Sequence, residues 1–448
     1  MNVRPAAAPA AASSVASSAL LATVGIGVQG VAKLLVTVVV GRVFGTETLG
    51  QTTALLSLSV FVALLWPNAA GNTASRYLAI ALRGRHSDAA VNRLLGLSML
   101  VSTLVLAAVT VPVALAWGNG PGTVLGGVAV VVGYGLYCYA RGAQLGYGRA
   151  PKVALWDGVT SVLALGLLVL ACVARLEPFV LLPLAIGYTV FAVACWPRGN
   201  GFGPAAREPV GGVLGFAGWN VLAVVTSNGL LQLTMISAQV TVSAHDAGVY
   251  AAAFTLATPA SMLGQALGQV LVPAFAHRTD GGSLRSRGAV LLVVGFAAGT
   301  AVVFGLVALL AGWFLPIVYP AEGAAAVADL RYLMVGVWVF TVGLVPAALL
   351  LAAGRSRQVA LASVAGFVVG AVLMAVLGPV AGGGRGDDGV PRGECGEPRG
   401  GGGARDASRE SVTCRRRLVP WADGPRANLA AVRISAHHSA AGAPAAAR

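Results

Sequence analysis

Residues 38–55 read VVVGRVFGTETLGQTTAL: an apolar run stops at Gly41-Arg42, crosses a short polar turn, and resumes after Gly50. In a chain that is 57% hydrophobic and 10% charged, with mean hydropathy +0.80, such a break marks the end of one membrane-crossing helix and the start of the next. Apolar runs of about 20 residues span a hydrocarbon core as helices. Lipid cannot satisfy free backbone groups, so open sheet is excluded. A membrane barrel would show alternating segments of about 10 residues, and the sequence has none. The expected fold class is all-α, a polytopic transmembrane helical bundle.

The segment before the turn fixes the N-terminus. Residues 1–17 hold Arg4 followed by Ala, Pro and Ser. The apolar run after them is too long for a signal-peptide core and ends at Gly41-Arg42 rather than at a small-residue cleavage site, so it reads as a retained first helix. Cys138, Cys172 and Cys195 lie in apolar segments and no two cysteines share a C-x-x-C spacing. They read as packing residues, with no disulfide framework, metal site or cofactor expected.

Eleven spans are expected, at 18–44, 49–80, 91–117, 122–147, 153–173, 179–196, 213–241, 247–276, 288–318, 325–353 and 358–380. Orientation follows from the basic residues of the loops. With the N-terminus inside, the cytoplasmic side carries Arg4, Arg76, Arg83, Arg85, Arg93, Arg141, Arg149, Lys152, Arg198, Arg207, Arg278, Arg285, Arg287, Arg355 and Arg357, against only Arg42, Arg175 and Arg331 outside. The net charge of +14 thus reads as topology and contact with anionic membrane lipids, not as nucleic-acid binding.

A shift of 198 residues lays TETLGQTTALLSLSVFVALL (46–65) over AHDAGVYAAAFTLATPASML (244–263), matching Gly50 with Gly248, Ala54 with Ala252, Leu58 with Leu256 and Leu65 with Leu263. In both places a long helix ends, a polar turn follows and a second helix begins at Gly. The offset corresponds to six helices, and an even repeat leaves both halves in the same orientation, related by an axis along the membrane normal. The chain therefore divides into a cytoplasmic N-terminal tail (1–17), an N-lobe of six helices (18–198), a C-lobe (211–380) of five, and a basic Gly/Arg-rich tail (381–448) holding 11 of the 30 Lys and Arg. The second lobe is incomplete by this count. The tail reads either as a flexible segment or as the out-of-frame text of a GC-rich gene replacing a twelfth helix.

Candidate site residues are polar groups inside the spans. Lys33 sits mid-helix, where a lysine costs about 2.5–3.5 kcal/mol to insert, with Gln29 and Thr37 four residues to either side. This stripe reads as a cationic group facing a watery cavity, or else as a snorkelling or structurally paired lysine. Similar stripes are Asn68, Asn72 and Arg76, starting after a kink expected at Trp66-Pro67, then Asn228 and Gln232, then Gln265 and Gln269. Each also suits ordinary interhelical hydrogen bonding, and Arg76 a plain cytoplasmic anchor. Tyr137, Arg141 and Gln144 share a face, and Asp157 sits just inside the next span. An Arg141–Asp157 pair reads as an inner-gate lock or as a static salt bridge. GIGVQG (25–30) matches a dinucleotide fingerprint formally, but inside a span its small residues point to close helix packing instead.

The elements GRVFGTETLGQTTAL and NAAGNTASRYLA (68–79) resemble the N-terminal region of bacterial polysaccharide flippases of the multidrug/oligosaccharidyl-lipid/polysaccharide exporter superfamily. The matching positions are Arg42, Gly45, Glu47, Gly50, Arg76 and Tyr77, and SAHDAGVYAAAF (243–254) resembles the corresponding turn of the second half. The likeness spans about residues 15–380, but the pattern is lost after the eleventh helix where the family has twelve or fourteen. The resemblance implies two lobes around a central cavity that opens alternately to either side of the cytoplasmic membrane. It implies a lipid-linked saccharide as substrate, with Lys33, Arg76 and Arg141 meeting its anionic head group, and enzymes of polysaccharide synthesis as partners. A multidrug or cation antiporter of the same superfamily is the alternative, weakened by the absence of an acid beside Lys33. A non-transporting scaffold for envelope synthesis is a third reading. A polysaccharide polymerase would need a large outer loop, which the chain lacks.

Overall fold

A computed structural model describes residues 9–84, 87–199, 210–258, 287–320, 322–352 and 356–383. The chain forms α1 (Pro9–Phe44), α2 (Thr46–Leu65), α3 (Pro67–Gly84), α4 (Ala89–Ala116), α5 (Pro121–Gly146), α6 (Ala150–Val173), a single turn at Glu177–Phe179, α7 (Leu182–Ala194), α8 (Val210–Thr241), α9 (244–258), α10 (Arg287–Val318), α11 (Val327–Ala352) and α12 (Ser356–Gly383). No strand occurs among the described residues. Nine described helical segments are long and apolar enough to cross a membrane.

Ten of the eleven expected spans each coincide with one helix or its described part. The second traverse is instead split: Trp66 leaves the helical range at φ −148° and ψ −50°, and Pro67 opens α3. Proline has no N–H to continue the ladder, which is why the break falls here. The helix of the eighth span is seen to residue 258, and the rest of that span lies outside the described residues, as does the tail from 384 onward. Helix α1 begins at Pro9, ahead of the expected span at 18, through PAAASSVAS, which carries four alanines, the strongest helix former.

Helices α1–α7 form one lobe with α5 at its centre, packed against α2, α3, α4, α6 and α7. Glycine makes this density possible. A Cβ on Gly142 would overlap the backbone of Gly71 on α3, and one on Gly133 would stand 2.8 Å from the Ala185 carbonyl oxygen on α7. Gly25 works the same way where α1 lies on α6, with the Ala154 Cα 3.4 Å from the position of its absent side chain. The GIGVQG segment thus packs a helix against a helix. At one end of the lobe Tyr147 donates to the Asp88 carboxylate, tying the α5–α6 turn to the start of α4. Burial, and then this bond, raise the Tyr147 phenol above its ordinary pKa.

Helices α8–α12 form the second lobe, in which α8 packs on α12 and α10 on α11. The 198-residue register is visible in its turns. Gly45, at φ +93°, is the N-cap of α2, and Ser243 is the N-cap of α9. The Ser243 hydroxyl accepts from the Asp246 N–H at 3.1 Å, a side-chain N-cap, and donates to the Asp246 carboxylate at 2.8 Å. The two halves have the same opening, a long helix, a turn and a second helix, and they meet where α2 and α3 lie against α8.

Candidate functional site

A cavity of about 100 Å³ lies between the lobes, lined by Lys33 and Thr37 of α1, Thr53 and Ser57 of α2, Tyr134 of α5, Tyr188 of α7, Gln232 of α8 and Thr255 of α9, among others. Its charge comes from one residue. The Lys33 ammonium stands 4.5 Å from the centre of the Tyr134 ring and 5.7 Å from that of Tyr188. Cation–π contacts of this kind contribute about 0.5–2 kcal/mol, enough to hold a lysine in place but well short of solvating it. No carboxylate lines the cavity among the described residues, and none pairs with Lys33. Two further polar atoms, the Tyr188 hydroxyl and Thr53 Oγ1, are buried without a hydrogen-bond partner among the described residues. Buried polar groups are almost always paired, so an unpaired ammonium with two unpartnered hydroxyls on residues lining the same cavity marks a polar site in an apolar bundle.

Behind the tyrosines a second polar layer closes the N-lobe. Tyr137, whose ring centre is 5.1 Å from that of Tyr188, donates to Asp157 Oδ1 at 2.9 Å. Arg141 Nε reaches Asp157 Oδ2 at 3.4 Å. Asp157 is fully buried and Arg141 nearly so, and the pair joins α5 to α6, two helices of the same lobe.

The remaining expected site residues separate into five groups. Lys33 and Gln232 line the cavity. Gln29 does not: its amide donates to the Asp157 carbonyl at 3.2 Å and to Thr160 Oγ1 at 3.4 Å. An α-helix advances about 40° beyond a full turn every four residues, so the stripe winds from α6 at Gln29 to the cavity at Lys33 and Thr37. Asn68, Asn72 and Arg76 lie on the lobe boundary beyond the cavity. Asn72 donates to Asn68 at 3.1 Å and to Asn220 of α8 at 3.3 Å, and the Arg76 guanidinium stands 4.4 Å from the Phe216 ring centre. Asn228 bonds locally to Ser227 Oγ at 2.8 Å. Gln265 and Gln269 lie outside the described residues.

Tyr134 and Tyr188 are site residues that sequence reasoning misses. An aromatic in an apolar helix reads as core, and the one signal on offer is that Tyr134 and Tyr137 lie three residues apart on the face that also carries Arg141.

No protein-family model and no curated protein matches the sequence. Solved structures do. The chain is similar to an inward-facing multidrug resistance MATE family transporter of the MOP superfamily, with TM-score 0.54 and 15% identity over 82% of this chain and 94% of that one. It is similar to a MOP superfamily transporter from Pyrococcus furiosus, described as having a binding pocket of reverse polarity that suggests a different function, with TM-score 0.53 and 14% identity over 83% and 95%. A MATE structure in a bent conformation gives TM-score 0.51 and 15% identity over 83% and 94%. This chain has the two-lobed MATE-like transporter fold. The position of Lys33 in that fold is the junction of the lobes, where helices of both halves face one space.

Proposed function

We propose that this protein is a membrane transporter that carries an anionic, lipid-linked saccharide across the cytoplasmic membrane by alternating access, with its N-terminus on the cytoplasmic side. The observation that carries the reading is the Lys33 ammonium, without a carboxylate partner, in an inter-lobe cavity that holds no carboxylate among its described lining residues. The Tyr188 and Thr53 hydroxyls, unpartnered among the described residues, belong to residues that line the same cavity. A phosphate-linked saccharide presents acceptor oxygens to all three, while its lipid tail stays in the bilayer. At about 100 Å³ the cavity accepts a few waters and not a sugar, so substrate entry requires the lobes to part.

Export of cationic compounds is the second reading, and Asp157 is the observation that favours it: a buried carboxylate one aromatic layer from the cavity. The structural neighbours include a transporter described as belonging to a multidrug resistance family. Against this reading stand the Arg141 partner of Asp157 and the positive charge of the cavity itself. Fold does not choose between substrates; the charge and geometry of the site do.

The test is translocation in proteoliposomes of a fluorescent saccharide linked through pyrophosphate to a short polyprenol, with ethidium efflux measured in parallel. Lys33→Ala is expected to lower saccharide translocation at least tenfold in folded protein, with Lys33→Arg retaining most of it. Ethidium efflux that rises in Lys33→Ala, with no saccharide movement in either protein, establishes the second reading. Absence of both movements in the unaltered protein, together with surface polysaccharide unchanged in cells carrying Lys33→Ala, establishes the scaffold.

A further inference from the structure

One pair matched by the 198-residue repeat, Gly50 and Gly248, is in direct contact. A Cβ on Gly50 of α2 would stand 2.9 Å from the backbone nitrogen of Gly248 and 3.3 Å from the carbonyl carbon of Ala247, both on α9. A Cβ on Gly248 would overlap the carbonyl oxygen of Thr46 on α2. Contact between equivalent residues is what a two-fold axis produces where it passes between two helices. The axis relating the lobes therefore runs through this crossing, at the end of the molecule that bears the α1–α2 and α8–α9 turns.

One side of the crossing is apolar and buried, and on the other Gly45, Glu47, Ser243 and His245 are exposed. Leu49 and Ala54 of the first lobe are fully buried within the apolar core of the second, beside Ala251, Ala252, Phe254 and Leu315. Tyr319, which follows α10, lies on Gly41 of α1 so closely that a Cβ there would be 2.8 Å from its ring. Arg42 donates to the carbonyls of Ile317 and Val318 at the end of α10. The neighbours crowding Gly50 and Gly248 all belong to the opposite lobe.

We infer that the Gly50–Gly248 crossing is the closed gate at the turn end of the molecule, and that the absence of side chains at these two positions sets how far the conformational equilibrium favours closure there. This rests on the alternating-access reading. The reason is steric. Packed backbone cannot yield to a methyl group, whereas two lobes joined by noncovalent contacts can separate. Alanine at either position also favours helix over glycine, so each lobe keeps its own fold while the closed arrangement of the two is denied.

The experiment places spin labels at the exposed positions Glu47 and His245, in the full chain with its native cysteines replaced, and measures their distance distribution in nanodiscs without substrate. Gly50→Ala and Gly248→Ala are each expected to raise the long-distance population at least fivefold, and the double variant further. Gly166→Ala is the control, since nothing lies within 4 Å of its added Cβ. Melting temperatures within a few degrees of the unaltered protein show that the lobes remain folded. If either variant misfolds, disulfide cross-linking of cysteines placed at 47 and 245 in the otherwise unaltered chain reads closure directly, and failure to cross-link overturns the gate. A distribution unchanged in folded variants overturns the gate. A shifted distribution with no saccharide transport leaves the gate standing and removes the substrate reading instead. Saccharide transport that depends on Lys33, with no shift in distances, does the reverse.

Discussion

Among the helix pairs that cross on bare backbone, two serve opposite ends. Gly142 and Gly71 bring α5 and α3 together inside the first lobe, while Gly50 and Gly248 bring α2 and α9 together between lobes. The local geometry is the same: a Cβ on one glycine would run into the backbone of the other helix. What differs is whether the two helices have any other way to remain folded. Inside the lobe, α3 and α5 share a continuous core with α4, including Leu78, Leu95, Met99 and Tyr139, and separating them dismantles it. Between lobes, separation withdraws Leu49 and Ala54 from the second lobe's core but leaves most of each core within its own lobe. A close glycine contact is thus a fastening in the first place and a latch in the second.

The distinction between fastening and latch is tested most severely at charges. Arg141→Ala leaves the fully buried Asp157 with the Tyr137 hydroxyl but without the cation 3.4 Å away. Removing one partner of a buried pair costs about 3–5 kcal/mol, so a large fall in melting temperature is expected, partly recovered in Arg141→Leu combined with Asp157→Leu. A loss of transport with no fall in melting temperature would show that the pair is a switch and not a fastening. Gly142→Ala comes next, with a loss of about 1–3 kcal/mol from overpacking, read as lower thermal stability and lower yield of folded protein. Stability equal to that of the unaltered protein would mean the two crossings are alike after all.

At the other end of the lobe boundary the contacts are exposed and polar: Asn72 to Asn220, and Arg76 over Phe216. Asn72→Ala removes two exposed hydrogen bonds, to Asn68 and across the boundary to Asn220, each of about 0.5–1.5 kcal/mol at most, and is expected to lower melting by no more than a few degrees while loosening the far end in labelling distances. The smallest effect is expected for Gly27→Ala on α1, where the added Cβ meets nothing within 4 Å. Its helix propensity improves by about 0.8–1 kcal/mol, so a slight rise in melting temperature is the outcome to look for.

Local signals are legible in the order of residues alone. The α1–α2 turn at Gly45, the break at Pro67 and the second turn at Ser243 are each set by residues that end or cap a helix through their own backbone and side-chain chemistry. Lys33 is legible for the same reason, since a charge in an apolar helix stands out wherever the helix packs. Its neighbour Gln29 shares the spacing but not the cavity, because spacing along one helix does not say which neighbour each step of the winding will meet. Tyr134 and Tyr188 give no sequence signal as a pair. They come from α5 and α7, 54 residues apart, and become an aromatic seat for Lys33 only once the lobe has packed and brought both rings to it.

Residue order thus dictates that this chain crosses a membrane many times, that its halves repeat at 198 residues, and that one lysine is held inside the apolar region. Hydropathy, turn chemistry and charge belong to residues in order, and they need no tertiary contact to take effect. Packing dictates the rest: Lys33 faces a space shared by both lobes, Asp157 is turned away behind tyrosines, and Gly50 meets the glycine it repeats. Those relations depend on which helix faces lie against each other, and in a chain this uniformly apolar nearly every face is greasy enough to be buried. The choice among them falls to shape, which exists only after the helices have packed.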